Sequence, residues 1–398
     1  MRKSIAVRHL SSCLAAFIII LTTSAQSLLA QEIPSRERIG LNFIRPDVNR
    51  PGNYDFRESG VWLVGQYEKL GVQWNRLAFS WVLVQPSKDE FDWSAYDRIV
   101  DACRTKNIQI LATLGGHFDN PPVPAWAGKT LAEVVADHPE CLEKFVRAWV
   151  GRYKGRIHYW EILNEPEGQH RELTLPVYVE KVLKPSYRII KSADPQAKVL
   201  PCAYNHLPGS QSDSVDSPER EVFWDLARGY YDIGNVHEYA DWNIFRTQPV
   251  ATQEERDLRK FRALMDKHGE ERKPFWVTEI GWWGTGSLSN KYEVYKLDPE
   301  TRVEFKPAYV GKEIVNHPVV LREDALRAEW MKDLFPRLLS IPGSERVFLW
   351  VSLDEFEGGY NPEKEYGEHA AQSDLWGIIA GDKTWRKSAF ALQDILKH

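Results

Sequence analysis

Ile157-His158-Tyr159-Trp160-Glu161-Ile162-Leu163-Asn164-Glu165-Pro166 is the stretch around which the rest of the sequence is organised. Its aromatic and β-branched residues are typical of a strand in a parallel sheet, which is covered on both faces. Pro166 has no amide hydrogen, so the strand is predicted to end there. Asn164 and Glu165 would then lie where the strand meets its loop.

A second stretch far downstream has the same character. Residues 274–281 read Pro-Phe-Trp-Val-Thr-Glu-Ile-Gly, which predicts an apolar strand that delivers Glu279 near its end, followed by Trp282 and Trp283. Burying an ionised side chain at the end of an apolar strand costs free energy, so such a residue usually has a partner or a function. Two such glutamates, Glu165 and Glu279, indicate chemistry that uses a pair of carboxylates.

Short apolar strands alternate with amphipathic helices along the chain. The predicted strands are 39–43, 72–78, 108–114, 157–166, 198–204, 234–239, 275–280 and 347–351. Eight strands and eight helical segments are the count of a (β/α)8 TIM barrel of the α/β class, which predicts a single barrel domain over residues 31–398. The competing fold is an open doubly wound sheet, but no G-x-G-x-x-G pattern follows the first strand.

The first 30 residues differ from the rest. Arg2, Lys3 and Arg8 precede an apolar core over residues 14–21, and small residues lead to Ala30. This pattern predicts a signal peptide over residues 1–30 and a secreted or periplasmic protein, with a retained N-terminal anchor as the alternative. We expect no stable membrane insertion after the leader is cleaved.

Composition narrows the class of partner. The 398-residue chain has a formal net charge of -5, which does not favour nucleic acid or an anionic membrane. Its 16 tryptophans exceed what core filling usually needs, and flat rings stack on the faces of sugars. C-x-x-C and H-E-x-x-H motifs are absent from the sequence, which predicts neither a metal nor a cofactor.

Polar and aromatic residues cluster at the predicted strand ends, where the site of a barrel lies. This set is Arg76, His117, Asn164, Glu165, His237, Tyr239, Glu279 and Trp350. A lone arginine or histidine is more often structural, and Trp350 could belong to the core. The two glutamates are harder to explain by structure alone.

The motifs resemble a known group of enzymes. Residues 160–166, Trp-Glu-Ile-Leu-Asn-Glu-Pro, together with 276–281, Trp-Val-Thr-Glu-Ile-Gly, are similar to the retaining glycoside hydrolases of the (β/α)8 clan with catalytic glutamates on strands four and seven. Residues 75–81, Asn-Arg-Leu-Ala-Phe-Ser-Trp, are similar to the second-strand region of families five, thirty-nine and forty-two. The resemblance covers the chain after the leader, but no motif separates family five from family thirty-nine.

The resemblance implies a role for each matching residue. Glu165 corresponds to the acid/base and Glu279 to the nucleophile, while Asn164 corresponds to the residue that binds the sugar 2-hydroxyl. His237 and Tyr239 match the His-x-Tyr of strand six. The remaining expected substrate-binding residues are Arg76, His117, Trp282 and Trp350, of which Trp350 matches the platform on strand eight.

The physical chemistry of retention sets further expectations. A retaining glycosidase needs its two carboxyl groups about 5 Å apart. We expect the second negative charge to raise the pKa of Glu165, whereas hydrogen bonds from Tyr239 and Arg76 keep Glu279 charged.

The predicted function is that of a secreted retaining β-glycosidase acting on a β-linked carbohydrate. An endo mode is expected because aromatic residues follow several strands, namely Trp126, Trp242, Trp282, Trp283 and Trp376. The alternatives are an exo-acting enzyme, a transglycosylase on the same site, and a catalytically silent barrel that binds glycans.

Overall fold

Eight parallel strands form the central sheet in a computed structural model of the chain. The structure describes residues 35–42, 59–115, 123–166, 170, 172–203, 218–239, 250–282, 287–288, 318–353, 355–356, 373–374, 377–380 and 383–397. The strands are β1 Ile39–Asn42, β2 Trp74–Phe79, β3 Gln109–Leu114, β4 Tyr159–Glu161, β5 Lys198–Leu200, β6 Gly234–Glu238, β7 Phe275–Gly281 and β8 Ser344–Trp350.

The strands are hydrogen-bonded in the order β5-β4-β3-β2-β1-β8-β7-β6. The two ends of this order meet, because the amides of Asp232 and Ile233, just before β6, donate to the carbonyl of Val199 in β5, at 2.8 and 3.3 Å. The sheet is therefore a nearly closed barrel, which confirms the predicted (β/α)8 fold and excludes the open doubly wound sheet.

Helices lie between the strands along the chain. Their bounds are α1 Ser35–Arg38, α2 Ser59–Leu70, α3 Trp81–Val84, α4 Ser94–Thr105, α5 Leu131–Asp137, α6 Pro139–Tyr153, α7 Leu175–Tyr178, α8 Lys184–Ala193, α9 Pro218–Ala227, α10 Thr252–Lys267, α11 Pro318–Leu339 and α12 Lys387–Ile395. A π-helical turn, Val179–Leu183, joins α7 to α8. Three two-residue strands, Ser287–Leu288, Glu355–Phe356 and Ser373–Asp374, form a separate small antiparallel sheet.

The apolar spacing of the helices explains how they cover the barrel. In α4 the buried residues are Tyr96, Ile99, Val100 and Cys103, whose spacing of three and four places them on one face. Pro139 starts α6, where a missing amide hydrogen costs no intrahelical bond. The buried faces of these helices meet the outward-facing residues of the strands in one extended core.

A smaller core fills the inside of the barrel near the amino ends of the strands. It consists of Trp74, Leu111, Leu200, Ile233, Trp276 and Phe348. Above Trp74 and Trp276 lies the guanidinium of Arg346, 4.1 and 4.5 Å from the two ring centres, which is cation–π geometry. The apolar filling stops there, and the interior towards the carboxyl ends is polar.

The fourth strand is the main departure from the predicted elements. The sequence predicted that it runs to Pro166, but β4 ends at Glu161. Leu163 and Glu165 have φ values of +73° and +29°, so the chain turns out of the strand before the proline is reached. Asn164 alone makes a further parallel bridge, to Ala203 beyond β5.

Residues Ser35–His398 group into one compact unit. Among the helices that the structure describes, none has the length and apolar character needed to cross a bilayer.

Candidate active site

Glu279 is presented to the barrel interior by a bulge in β7. Val277 pairs with Val347 of β8 and Ile280 pairs with Leu349, so two residues of β7 lie opposite one residue of β8. Neighbouring residues of a regular strand point to opposite faces, and a bulge relaxes this alternation. Thr278 and Glu279 therefore both contact residues of the barrel interior.

Glu165 reaches the same place from the turn that follows β4. Both Leu163 and Glu165 have left-handed backbone conformations, which are uncommon outside glycine and concentrate at functional sites. The turn brings Glu165 Oε1 to 2.5 Å from Nδ1 of His237 in β6.

The two glutamates face each other across His237. Atoms of Glu165, His237 and Glu279 lie within 4.8 Å of one another, and His237 Nδ1 is 3.5 Å from Glu279 Oε2. All three side chains are buried. The carboxylates thus have the short separation expected of a retaining pair.

Arg76 on β2 ties Glu279 to the turn after β4. Its Nη1 donates to Glu279 Oε1 at 2.5 Å and to Asn42 Oδ1 at 3.0 Å, while Nη2 donates to Asn164 Oδ1 at 2.6 Å. Nε and Nη2 also form a two-point ion pair with Glu161, at 2.6 and 3.0 Å. These five contacts equal the five N–H groups of a guanidinium, so the orientation of Arg76 is fully determined.

Beneath the two glutamates lies a layer of buried polar groups centred on Glu161. Besides Arg76, this carboxylate accepts hydrogen bonds from Thr113 Oγ1 and from Asn235 Nδ2 at 2.6 Å. Thr278 Oγ1 donates to Asn235 Oδ1 at 2.6 Å. We define Asn42, Arg76, Thr113, Glu161, Asn235 and Thr278 as the polar layer. Of these, sequence reasoning identified only Arg76.

Tyr239, directly after β6, donates to Glu279 Oε2 at 2.8 Å. Its ring packs with Val351 and with the half-buried Trp350. A Cβ at Gly281 would lie 2.8 Å from Cε1 of Tyr239, so this ring reaches Glu279 only because residue 281 has no side chain. The Trp350–Val351 peptide is cis.

Burial raises the pKa of Glu279 above its ordinary value. The positive charge of Arg76 opposes this rise, the carboxylate of Glu165 adds to it, and the hydrogen bond from Tyr239 opposes it. Arg76 and Tyr239 favour the charged form of this carboxyl, as expected, while the loss of hydration raises its pKa; that Glu279 stays charged remains a prediction.

The pKa values of His237 and Glu161, which lie next to Glu279, are lowered. Burial lowers the pKa of His237 to about 4, so the imidazole is neutral over most of the pH range. Burial disfavours the charge of Glu161 too, but the adjacent Arg76 outweighs it and lowers the pKa of that carboxyl. Arg76 and Glu161 are thus a charged pair, next to a neutral histidine.

Glu165, His237 and Glu279 are also the group of ligating side chains, within the described ranges, that could surround a metal ion. The guanidinium of Arg76 already supplies a positive charge in contact with Glu279. These three side chains therefore already have a cationic partner, the guanidinium of Arg76.

The structure brings most of the predicted site residues together. Arg76, Asn164, Glu165, His237, Tyr239 and Glu279 form one connected network, with Trp350 against Tyr239. His117 lies outside the described residues, as do Trp242, Trp283 and Trp376. Their predicted roles stay predictions.

Trp282 has a different environment from the one expected. Its indole N–H donates to Glu323 at 3.0 Å, and its ring packs edge-on against Trp330, both in α11. Trp282 is 3% exposed, so it is a packing residue rather than a stacking platform at the barrel mouth. Trp126 remains half-buried, with its N–H donating to the carbonyl of Gln85 at 3.0 Å.

Comparison with known proteins places this geometry in a family context. Residues 73–214, which carry Arg76, Glu161, Asn164 and Glu165, match the sequence model described as glycosyl hydrolase family 10. The chain is thus similar to glycoside hydrolases over part of its length, and it shares their (β/α)8 barrel. The matched family is one that the sequence motifs did not single out.

A curated relative and two solved structures show the extent of the likeness. Endo-1,4-beta-xylanase 1 of Gibberella zeae is 28% identical over 136 residues, which are 32% of this chain and 36% of that protein. A family 39 glycoside hydrolase from Bacteroides cellulosilyticus WH2 aligns at a TM-score of 0.55 with 16% identity, over 92% of this chain and 65% of that one. Xylanase 10B from Thermotoga maritima aligns at 0.54 with 17% identity, over 91% and 95%. At these identities the two structures show the shared fold.

Proposed function

We propose that this protein is a retaining β-glycosidase in which Glu279 is the nucleophile and Glu165 the acid/base. The observation that carries the proposal is the placement of these two carboxylates within 4.8 Å of each other. Retaining enzymes hold the pair about 5–5.5 Å apart, whereas inverting enzymes leave about 6.5–9.5 Å for a water molecule.

The hydrogen-bond partners indicate which carboxyl group carries the proton. Glu279 accepts from Arg76, whose guanidinium has no acceptor, and from Tyr239, whose raised pKa keeps the proton on its hydroxyl. His237 is neutral, so its Nδ1 can accept a hydrogen bond from a protonated Glu165. A proton shared by the pair would thus reside on Glu165, as an acid requires.

In the first step Glu279 attacks the anomeric carbon as the glycosidic bond breaks, and Glu165 donates its proton to the leaving oxygen. A covalent glycosyl-enzyme results. In the second step Glu165 removes a proton from water, which attacks the anomeric carbon and releases Glu279. The anomeric carbon inverts twice, so the β configuration is kept.

Asn164 is expected to bind the sugar beside the reacting bond. Its Oδ1 accepts from Arg76, which fixes the amide plane and leaves Nδ2 as the group of this side chain that donates. Trp350 is expected to form the face against which the ring stacks.

We propose a β-1,4-linked xylan as the first substrate to test and an endo mode of cleavage. The named activity of the Gibberella zeae relative supports this choice. Trp126, half-buried beyond β3, is the described aromatic residue that supports a groove extended over several sugars. If cleavage is endo, kcat/KM rises from xylobiose to xylotetraose and internal fragments appear first. Steady release of xylose with no gain from longer chains would show an exo enzyme instead.

Site variants test the mechanism directly. Glu279→Ala should abolish turnover, whereas Glu165→Ala should retain activity on dinitrophenyl β-glycosides, whose leaving group needs no proton. External azide should accelerate the second variant and yield a β-glycosyl azide. Full activity in both variants would place the chemistry elsewhere.

Two measurements on the unmodified protein separate the alternatives. Proton NMR of the reaction should show the β anomer first, and early α product would exclude retention. Binding of xylo-oligosaccharides without any turnover would identify a silent glycan-binding barrel, and a dominant yield of longer products would identify a transglycosylase. The signal peptide and export stay predictions, which the N-terminal sequence of the mature protein in a native host would test.

A further inference from the structure

Tyr178, the last residue of α7, makes an unusual contact between β4 and β5. Its hydroxyl donates to the carbonyl of Ile162 at 2.8 Å and accepts from the amide of Cys202 at 2.7 Å. The residue is fully buried. The two main-chain groups that it joins belong to the ends of neighbouring strands.

The position of these groups in the ladder shows what the hydroxyl replaces. The amide of Ile162 donates to the carbonyl of Leu200 at 3.0 Å. In a regular parallel ladder the next bond would run from the amide of Cys202 back to the carbonyl of Ile162. The hydroxyl of Tyr178 is inserted into that bond, and it separates the strand ends while both main-chain groups keep a partner.

The insertion lies directly before the turn that carries the site residues. Leu163 and Glu165 have positive φ values, and Asn164 returns to the ladder by its bridge to Ala203. Strained backbone of this kind persists only where its surroundings over-determine it. The separated strand ends are the constraint immediately upstream of Leu163.

The helix around Tyr178 is irregular at the same place. The π-helical turn Val179–Leu183 begins directly after it, and such turns are rare in helices and frequent near functional sites. The π-helical turn directly follows the residue whose hydroxyl is inserted between the strands, so the irregular helix and the irregular ladder meet at Tyr178.

We propose that Tyr178 is a positioning residue for Glu165, which acts by holding the ends of β4 and β5 apart so that the turn after β4 aims this carboxyl at the glycosidic oxygen. The inference rests on the proposed function. The hydroxyl of Tyr178 bonds to Ile162 and Cys202 at the ends of β4 and β5, so its loss should act on the turn that carries Glu165 rather than on the attack by Glu279.

The test asks whether the loss of kcat/KM in Tyr178→Phe depends on how readily the leaving group departs without a proton. Without the hydroxyl, the amide of Cys202 either bonds Ile162 directly or loses its partner, and the turn shifts. A displacement of about 1 Å can cost on the order of a hundredfold in rate. We expect kcat/KM for xylotetraose to fall by about 10- to 100-fold, and kcat/KM for dinitrophenyl β-xylobioside, which needs no protonation, to change by less than about threefold.

The matched control is Tyr96→Phe. The hydroxyl of Tyr96 also accepts from a main-chain amide, that of Ser80 at 2.7 Å, beyond the end of β2. This variant removes the same chemical group from an equally buried tyrosine, and both substrates should change by the same factor. Azide should raise kcat for the activated substrate in Tyr178→Phe and leave it unchanged in Tyr96→Phe.

The outcomes separate the inference from the proposed function. A wild type that hydrolyses neither substrate would refute the proposed function. A wild type that hydrolyses both, with Tyr178→Phe lowering both rates equally or neither, would refute the positioning role. If Tyr178→Phe does not fold, 4-methylphenylalanine at this position fills the volume of the hydroxyl without hydrogen bonding, and the same split between substrates is expected.

Discussion

The ion pair between Arg76 and Glu161 should show strong energetic coupling. Both side chains are buried, with exposed fractions of 5% and 0%, and they share two charged hydrogen bonds. Removing one member of a buried pair leaves an uncompensated charge and costs about 3–5 kcal/mol. We therefore expect Arg76→Met to lower the free energy of unfolding by about this amount, and Glu161→Gln to lower it by less, because Arg76 keeps its contact with Glu279.

The double variant Arg76→Met/Glu161→Gln should be much less unstable than the sum of the single variants, because it leaves neither partner of the pair charged and alone. The expected coupling free energy is about 2–3 kcal/mol. Urea unfolding at pH 7, followed by tryptophan fluorescence, measures all four proteins. The coupling should shrink below about pH 4.3, the unfolded-state pKa of glutamate, because the stabilisation from a carboxyl with a lowered pKa is lost as pH falls.

A surface pair provides the control for this cycle. Arg337 Nη1 lies 2.9 Å from Glu255 Oε2, with exposed fractions of 34% and 22%. Solvent screens exposed pairs of this kind, so the variants of this pair should be close to additive. Additive effects of Arg76→Met and Glu161→Gln, within about 0.5 kcal/mol, would refute the argument that the two charges compensate each other in the barrel.

Three further predictions concern the groups around Glu279. The acid limb of kcat/KM should lie above pH 4.5, because burial raises the pKa of the nucleophile Glu279. Tyr239→Phe should move this limb to still higher pH and lower kcat by about 10- to 1000-fold. An acid limb that does not shift in the variant would contradict the role of this hydroxyl. Gly281→Ala should have a similar kinetic effect because its Cβ displaces the ring of Tyr239, so wild-type kcat in this variant would contradict it. His237 is neutral in the folded protein down to about pH 4, whereas it protonates near pH 6.5 in the unfolded chain. Its contribution to the free energy of unfolding should therefore fall by about 3 kcal/mol as the pH drops from 6.5 to 4. The difference in unfolding free energy between wild type and His237→Asn measures this contribution.

The sequence predicted the barrel because the apolar runs of its strands are short and regularly separated by helical patterns. All eight strands overlap the predicted ranges, and the barrel form follows from their count. Glu165 and Glu279 were identifiable because a carboxylate after an apolar run has few structural explanations.

The polar layer was not predictable from the same signals. Glu161 lies within its strand, and a pattern of residues does not show which side of a doubly covered strand faces the barrel interior. The bulge that turns both Thr278 and Glu279 inwards breaks the alternation on which such an assignment depends. The environment of Trp282 was missed for a related reason, because α11, which holds its indole, is more than thirty residues away in sequence.

The closed set of hydrogen bonds around Arg76 has a consequence for how this protein can be stabilised. All five donors of its guanidinium are satisfied by protein atoms, so the dipoles around Glu279 are oriented before any sugar enters. The reorganisation that water would undergo around a developing charge has already been completed during folding. Replacing Thr113 and Asn235 by apolar residues of similar volume would leave the buried carboxylate of Glu161 with fewer donors, so it should lower the free energy of unfolding as well as raise the activation free energy. Stability and rate are set by the same few side chains at the centre of this molecule.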